Sequence, residues 1–383
     1  LRIDDILNFM AVNTSVLDKK VQDFIKAHEN DDITKLILKG SPFENIDIQS
    51  IAQQIKGRLV ARDKFPLLYA EDRIIYPPKI NLEQSSSQTT AAYKAKFLKS
   101  NDAIIDLTGG MGIDSLAFAS VSTDVTYCEI HPKTCLYAKH NFKVLEQNIS
   151  TYCEDGIAHL SQLNQRFDWI YIDPARRNKQ VQRVFRLEDC TPNILDYMEL
   201  FKSKTKRLMI KTSPLLDFNL CIKKIKYITE IHIVALKNEV KELLLIINFK
   251  AKDESPKIKA VNLETHHDNF QANYKSNILE QVISDPQTYL YEPNSAIMKS
   301  GLYGEVCRQY KVGALAMHSH LFTSDRKISF PGRCFKIVKH ISPKKNSLKK
   351  YIPSLKANIS TRNYPLKPDQ IKKKYGIKDG GNN

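Results

Sequence analysis

At 383 residues, 42% of them hydrophobic, the chain is long enough for two or three domains with packed cores, which excludes an intrinsically disordered protein. No apolar run approaches the ~20 residues that span a bilayer and the start lacks signal-peptide features, so a cytoplasmic protein without membrane segments is expected. Its net charge of +16 is unevenly placed: from Pro331 onward 14 Lys or Arg face 2 acids, which is +12 of the total.

A basic stretch of this kind suits a polyanion, because each neutralised phosphate releases counterions. The plainer alternative is a solvated, lysine-rich surface. The chain opens on Leu1 rather than Met, so a short leader or tag is expected before it. Seven cysteines without a CxxC pair read as reduced thiols, which argues against a structural metal or a disulfide framework.

Residues 1–78 read as a helical region. Ile6, Phe9 and Met10, then Val16, Val21, Phe24 and Ile25, then Ile48, Ile51, Ala52 and Ile55 recur at helical spacing, and Tyr76-Pro77-Pro78 ends the pattern. Residues 79–250 alternate strands and helices. The strands are expected at 103–107, 124–130, 149–153, 167–172 and 207–211, with helices at 132–145 and 191–201. Such alternation implies a parallel sheet covered on both faces. Two further strands, 227–236 and 242–249, are joined by Lys237-Asn238-Glu239, too short for a crossover helix, so they should be antiparallel. Five parallel strands closed by an antiparallel hairpin make the seven-stranded, Rossmann-like α/β sheet of class I methyltransferases, not the six-parallel sheet of a dinucleotide dehydrogenase. The polar residues 251–272 read as a linker to a small α+β C-terminal domain.

The first strand turns into a helix through Asp106-Leu107-Thr108-Gly109-Gly110-Met111-Gly112-Ile113-Asp114-Ser115. Glycines there let backbone approach a ligand and tolerate positive φ. Gly110, Gly112 and Ser115 imitate the GxGxxG spacing of a diphosphate loop, but Asp106 would repel a diphosphate and suits the cationic tail of S-adenosylmethionine. Glu129, 23 residues after Asp106 and followed by Ile130, is placed at the second strand end to accept ribose hydroxyls. Asp155, before Gly156, can accept the adenine amino group or merely cap a helix. Thr108 and Asp114 complete the expected cofactor set.

The fourth strand ends at Asp173-Pro174-Ala175-Arg176-Arg177, beside the switch point where open α/β sheets place ligands. Methyl transfer needs chiefly a positioned acceptor, and a carboxylate with the following carbonyl can aim an amino lone pair. Asp173 and the Pro174 carbonyl are expected in that role, with Arg176 stacking on or clamping the substrate. Asp173-Pro174 resembles the Asp/Asn-Pro-Pro-aromatic motif of amino-methylating nucleic-acid methyltransferases, with Ala175 and Arg176 departing from it. Leu82-Glu83-Gln84 through Thr89 resembles the segment that covers the cofactor in some ribosomal-RNA adenine methyltransferases, which implicates Gln84.

More of the chain resembles a bacterial family of class I methyltransferases with a THUMP-like C-terminal domain. The matching stretches are Glu83-Gln84-Ser85-Ser86, Asp106–Asp114, Asp173–Arg177, Leu187-Glu188-Asp189-Cys190, Tyr291-Glu292-Pro293, Phe330-Pro331-Gly332-Arg333 and Thr361-Arg362-Asn363. The resemblance implies S-adenosyl-L-methionine as cofactor, S-adenosyl-L-homocysteine as product, a ferredoxin-like module over 273–325 and a basic THUMP-like module over 326–383. RNA is then the expected partner, with Arg177, Lys211, Arg333, Arg362, Lys372, Lys373 and Lys374 as contacts and a monomer as the default. Cys190 reads as an inert buried thiol, and His266-His267 and His318/His320 lack complete ligand sets, so no metal is expected. Two rival readings are a non-catalytic RNA-binding assembly factor that keeps the fold, and a methyltransferase for protein or small molecules.

Overall fold

The computed structural model describes residues 13–176, 187–252, 254–266, 268–274 and 280–380; Ile6, Phe9, Met10, Arg177 and His267 fall outside them. Two compact units emerge, Leu1–His232 with Glu242–Pro256, and Ile233–Lys241 with Lys257–Asn383.

The first unit begins with helices Lys19–Ala27, Ile33–Lys39 and Ile48–Lys64. Asp18, Asp32 and Asp47 cap them by accepting the amides of Lys20, Thr34 and Ser50. Val21 and Ile25, and Ile51 and Ile55, sit one turn apart and close one cluster with Val16 and Leu36. The third helix ends where Phe65-Pro66 breaks the hydrogen-bond ladder.

The sheet follows. In chain order its strands are β1 (Ala103–Asp106), β2 (Asp124–Cys128), β3 (Ile149–Tyr152) and β4 (Phe167–Ile172). After a two-stranded ribbon of β5 (Ala175–Arg176) and β6 (Cys190–Thr191) come β7 (Thr205–Thr212), β8 (Ile228–Leu236) and β9 (Glu239–Asn248). β1 pairs in parallel with β2 and β4, as β2 does with β3 and β4 with β7, whereas β9 runs antiparallel to β7. Lys237 and Asn238 both have positive φ, 50° and 66°, as the tight turn between β8 and β9 requires. β4 and β7 are almost wholly buried, as strands covered on both faces must be.

The full order is β11-β10-β8-β9-β7-β4-β1-β2-β3, nine strands against the seven expected. The additional antiparallel pair, β10 (Lys257–Leu263) and β11 (Phe270–Asn273), arises within residues 251–272, which composition alone marks as linker. Its signal was alternation at the start of the strand: Ile258 and Ala260 are buried, with Lys257 and Lys259 before and between them. The helix expected over 191–201 is shifted to Met198–Lys204, because Thr191 belongs to β6 and Pro192 follows it.

The second unit holds a four-stranded antiparallel sheet in the order β13-β14-β12-β15, made of β12 (Tyr289–Pro293), β13 (Gly313–Ala314), β14 (Phe322–Ser324) and β15 (Gly332–Lys336). Tyr291 is its buried anchor, donating to the Arg326 carbonyl at 3.0 Å and accepting the Ile328 amide at 3.1 Å. Helices Lys345–Tyr351 and Pro368–Tyr375 complete the C-terminus. Among the described residues no helix is long and apolar enough to cross a membrane.

Candidate active site

Asp106 closes β1 with no exposed surface. Its carboxylate accepts Ser115 Oγ at 2.7 Å and the Thr108 amide at 3.1 Å. Burial, aided by the carboxylates of Asp114 and Asp173, pushes its pKa up to about 7 against the pull of Ser115. Gly110 and Gly112 adopt φ of 56° and 83°, and a Cβ on Gly112 would meet the Phe142 ring at 2.4 Å. The loop's amides turn inward. Gly109 donates to the Cys128 carbonyl, Gly110 to Glu129 Oε2 and Gly112 to the Gly109 carbonyl, each at 2.8 Å. With Thr108 on Asp106, four amides that could cradle a diphosphate already have protein acceptors. Those four amides are thus closed to a phosphate, and the loop offers close approach beside carboxylates.

Glu129 also accepts the His131 amide, at 2.8 Å, so each carboxylate oxygen braces a loop, while Ile130 beside it is 56% exposed. Asp155 caps helix Gly156–Gln162, its Oδ1 accepting the amides of Ile157 and Ala158 at 2.9 Å. Gly156 is required by contact: a Cβ there would lie 2.3 Å from the Leu107 carbonyl oxygen, so the loop after β3 rests directly on the glycine loop. In the same place Cys135 and Cys153 form a disulfide, correcting the expectation of reduced thiols throughout. Parallel pairing of Cys128 with Tyr152 brings the residue after β3 next to the helix after β2, a proximity that cysteine spacing does not reveal. Cys190 is fully buried. Among the described residues no cluster of His, Cys, Asp or Glu is arranged to hold a metal.

At the end of β4 the Asp173 amide donates to Thr108 Oγ1 at 2.7 Å, tying this loop to the glycine loop. Asp173 Oδ2 contacts the ammonium of Lys211, and Oδ1 makes no hydrogen bond among the described residues. The Arg176 backbone pairs with Cys190, and its side chain, like all of Arg177, lies outside the described structure. Lys211 is 9% exposed and turned onto Asp173, not outward as a phosphate contact would be.

Next to this pair Asp114 joins Lys94 and Glu242, two residues that no motif marks. Lys94, fully buried, donates to both oxygens of Glu242 at 2.8 and 2.9 Å and lies 3.1 Å from Asp114 Oδ1. Asp114 Oδ2 accepts Ser86 Oγ and Tyr171 Oη, each at 2.8 Å. Burial opposes its ionisation, but Lys94 and Lys211 hold its carboxyl below the usual range. Asp114 is thus part of an internal charge cluster. Gln84 is exposed at the end of helix Lys79–Gln84, and it is Ser86 that reaches the cluster. The available signal was a lone acid, Glu242, heading the apolar run Leu243–Ile247.

In the second unit Arg333 and Arg362 both grip the buried Glu292 carboxylate. Lys372 pairs with Asp379 at 2.5 Å, whereas Lys373 and Lys374 are exposed.

Residues 289–331 match a family described as a ferredoxin-like domain, and residues 332–383 one described as THUMP domain-like. The crystal structure of a protein from Porphyromonas gingivalis W83, described as a "putative methyltransferase", superposes with a TM-score of 0.84 at 28% identity, covering 97% of this chain and 94% of that one. A structure from Listeria monocytogenes described as a "putative class i s-adenosylmethionine-dependent methyltransferase" gives 0.38 at 15% identity, over 63% of this chain and 78% of that one. An rRNA methylase from Streptococcus thermophilus gives 0.32 at 13%, over 42% and 93%. No curated protein matches the sequence.

Proposed function

We propose that the chain is a class I S-adenosylmethionine-dependent methyltransferase that methylates an RNA base at an amino nitrogen, a reading supported by its likeness to a protein described as a methyltransferase and by its ferredoxin-like and THUMP-like matches. The observation that carries this reading is the 2.7 Å hydrogen bond from the Asp173 amide to Thr108. It couples the loop that would face an acceptor to the loop that would face the methyl donor.

The donor set fits S-adenosylmethionine better than a dinucleotide. The loop amides are engaged internally, and the surrounding groups are acids that favour ammonium, sulfonium and hydroxyl donors over phosphate. Asp106, Thr108, Gly110, Gly112, Glu129, Ile130, Asp155 and Gly156 would hold the cofactor, with Asp114 bracing the loop from below and Gln84 at the rim. When bound, the cofactor supplies a methyl group on a positively charged sulfur, already activated for displacement by a nitrogen lone pair. Asp173 Oδ1 would accept one amino N–H and the Pro174 carbonyl the other, aiming the lone pair in line. The proton shed by the nitrogen would pass by way of Asp173 to water. Exposed lysines of the C-terminal module, Lys373 and Lys374 among them, would supply the electrostatic grip on the RNA backbone.

The direct test is methyl transfer from radiolabelled donor to total RNA. Wild type should label RNA, and Asp173→Ala should lower the rate on the order of 10²-fold or more, as misplaced acceptors do. Label in protein alone, or a variant as active as wild type, would sink the reading. Failure to bind S-adenosylmethionine in calorimetry would instead favour an RNA-binding assembly factor. RNA binding that does not weaken with salt would favour a protein or small-molecule acceptor.

A further inference from the structure

We propose that Lys211 is a positioning residue for the transfer: its ammonium fixes one oxygen of the Asp173 carboxylate and leaves the other to the acceptor. This rests on the reading of Asp173 as the acceptor-facing group.

Lys211 is the penultimate residue of β7, beside β4, so its side chain and Asp173 leave the sheet at the same edge. Burial would lower the pKa of its ammonium, but Asp173, Asp114 and Glu242 outweigh it, and Lys211 stays charged. Two ammonium groups, Lys94 and Lys211, are thus set against three carboxylates, Glu242 and Asp114 inside and Asp173 at the rim with 33% of its side chain exposed. Tyr171 from β4, Asp106 from β1 and Tyr93, which lies near Glu242, also face the cluster. The antiparallel register of β9, with Leu243 opposite Thr212, brings Glu242 to this end of the sheet.

Such a cluster is poorly explained by stability alone. Removing several charges from water costs about as much as their pairing returns, and apolar side chains of like volume would hold the fold as well. What the charges do achieve is orientation. Thr108 fixes the Asp173 backbone and Lys211 fixes its Oδ2, so that among the described residues Oδ1 alone is left for the substrate. Lys94 performs the matching task one layer below, holding Glu242 and Asp114 so that neither competes for Asp173's place. Without Lys211, no cation among the described residues would hold Oδ2, and the carboxylate, which also feels the charge of Asp106, would be free to turn away from the acceptor.

The test compares the full chain carrying Lys211→Met, Lys211→Gln and Lys211→Arg. In methyl transfer to total RNA, the Met and Gln variants should lose kcat on the order of 10²-fold with little change in KM, and the Arg variant should recover most of that loss. Folded Met or Gln variants with the kcat of wild type, or an Arg variant no better than Met, would overturn the proposal. In carbon NMR of carboxyl-labelled aspartate at fixed pH, the resonance missing from Asp173→Asn should move in the Met and Gln variants, a reading that needs no turnover and so separates this proposal from the one beneath it. A wild type that transfers no methyl, or an Asp173→Ala protein of undiminished activity, would instead remove Asp173 from the reaction whatever Lys211 does.

Discussion

At the level of single side chains, Asp106 shows how burial and charge set a measurable property. An aspartate in an unfolded chain titrates near ~3.9, and burial takes this one to about 7 in the fold. Between those values the folded protein holds a proton that the unfolded chain has lost. Stability should therefore fall as pH rises from ~4 to ~7 and then level off. Asp106→Asn removes the titration, so its melting temperature should gain on wild type across that window and by a constant amount above it. Parallel pH profiles for the two proteins would refute this. Asp106 was legible in the sequence because a strand end followed by glycines is a local pattern. Its neighbours were less so: Lys94 and Glu242 are 148 positions apart, and only the closed sheet reveals that they meet. Arg333 and Arg362 were picked out as RNA contacts by motif, yet Glu292, from the neighbouring strand β12, occupies both.

At the level of elements, the parallel strands and the helices between them could be read from periodicity, since burial on both faces leaves continuous apolar runs. The β10–β11 pair was hidden because the polar residues at its outward positions, Lys257, Lys259, Gln271 and Asn273, mimic a linker. The packing of loops on loops was equally hidden, and Gly156 is the clearest case. In sequence it looks like the residue after a helix cap, but in space it is where the β3 loop meets the Leu107 backbone. Gly156→Ala should force the two loops apart, costing about 1–3 kcal/mol as overpacking usually does. The expected signs are a lower melting temperature and weaker binding of S-adenosylmethionine by calorimetry; an unchanged variant would show that the contact yields freely.

For the whole molecule, the uneven charge is the property most easily seen in the sequence and most easily tested. Replacing Lys373 and Lys374 by Ala removes two exposed cations. Binding to mixed RNA should become less salt-dependent, with the slope of log K against log salt shallower by about 1.4–1.8. An unchanged slope would place the RNA on another surface. The fold class was readable from the order of strands and helices. The exposure that separates Lys373 from the paired Lys372 was not, because neighbours in sequence say nothing about which lysine has found an acid.

The inward-turned amides of the glycine loop also bear on which metabolites can interfere with the protein in a living cell. ATP shares an adenosine moiety with the proposed cofactor and is far more abundant than most adenosine compounds. A loop with free amides would be blocked by it for much of the time. Here the amides of Thr108, Gly109, Gly110 and Gly112 already have acceptors, and Asp106 lies just behind them. A triphosphate would find those four donors taken, so ATP should displace S-adenosylmethionine poorly in competition calorimetry.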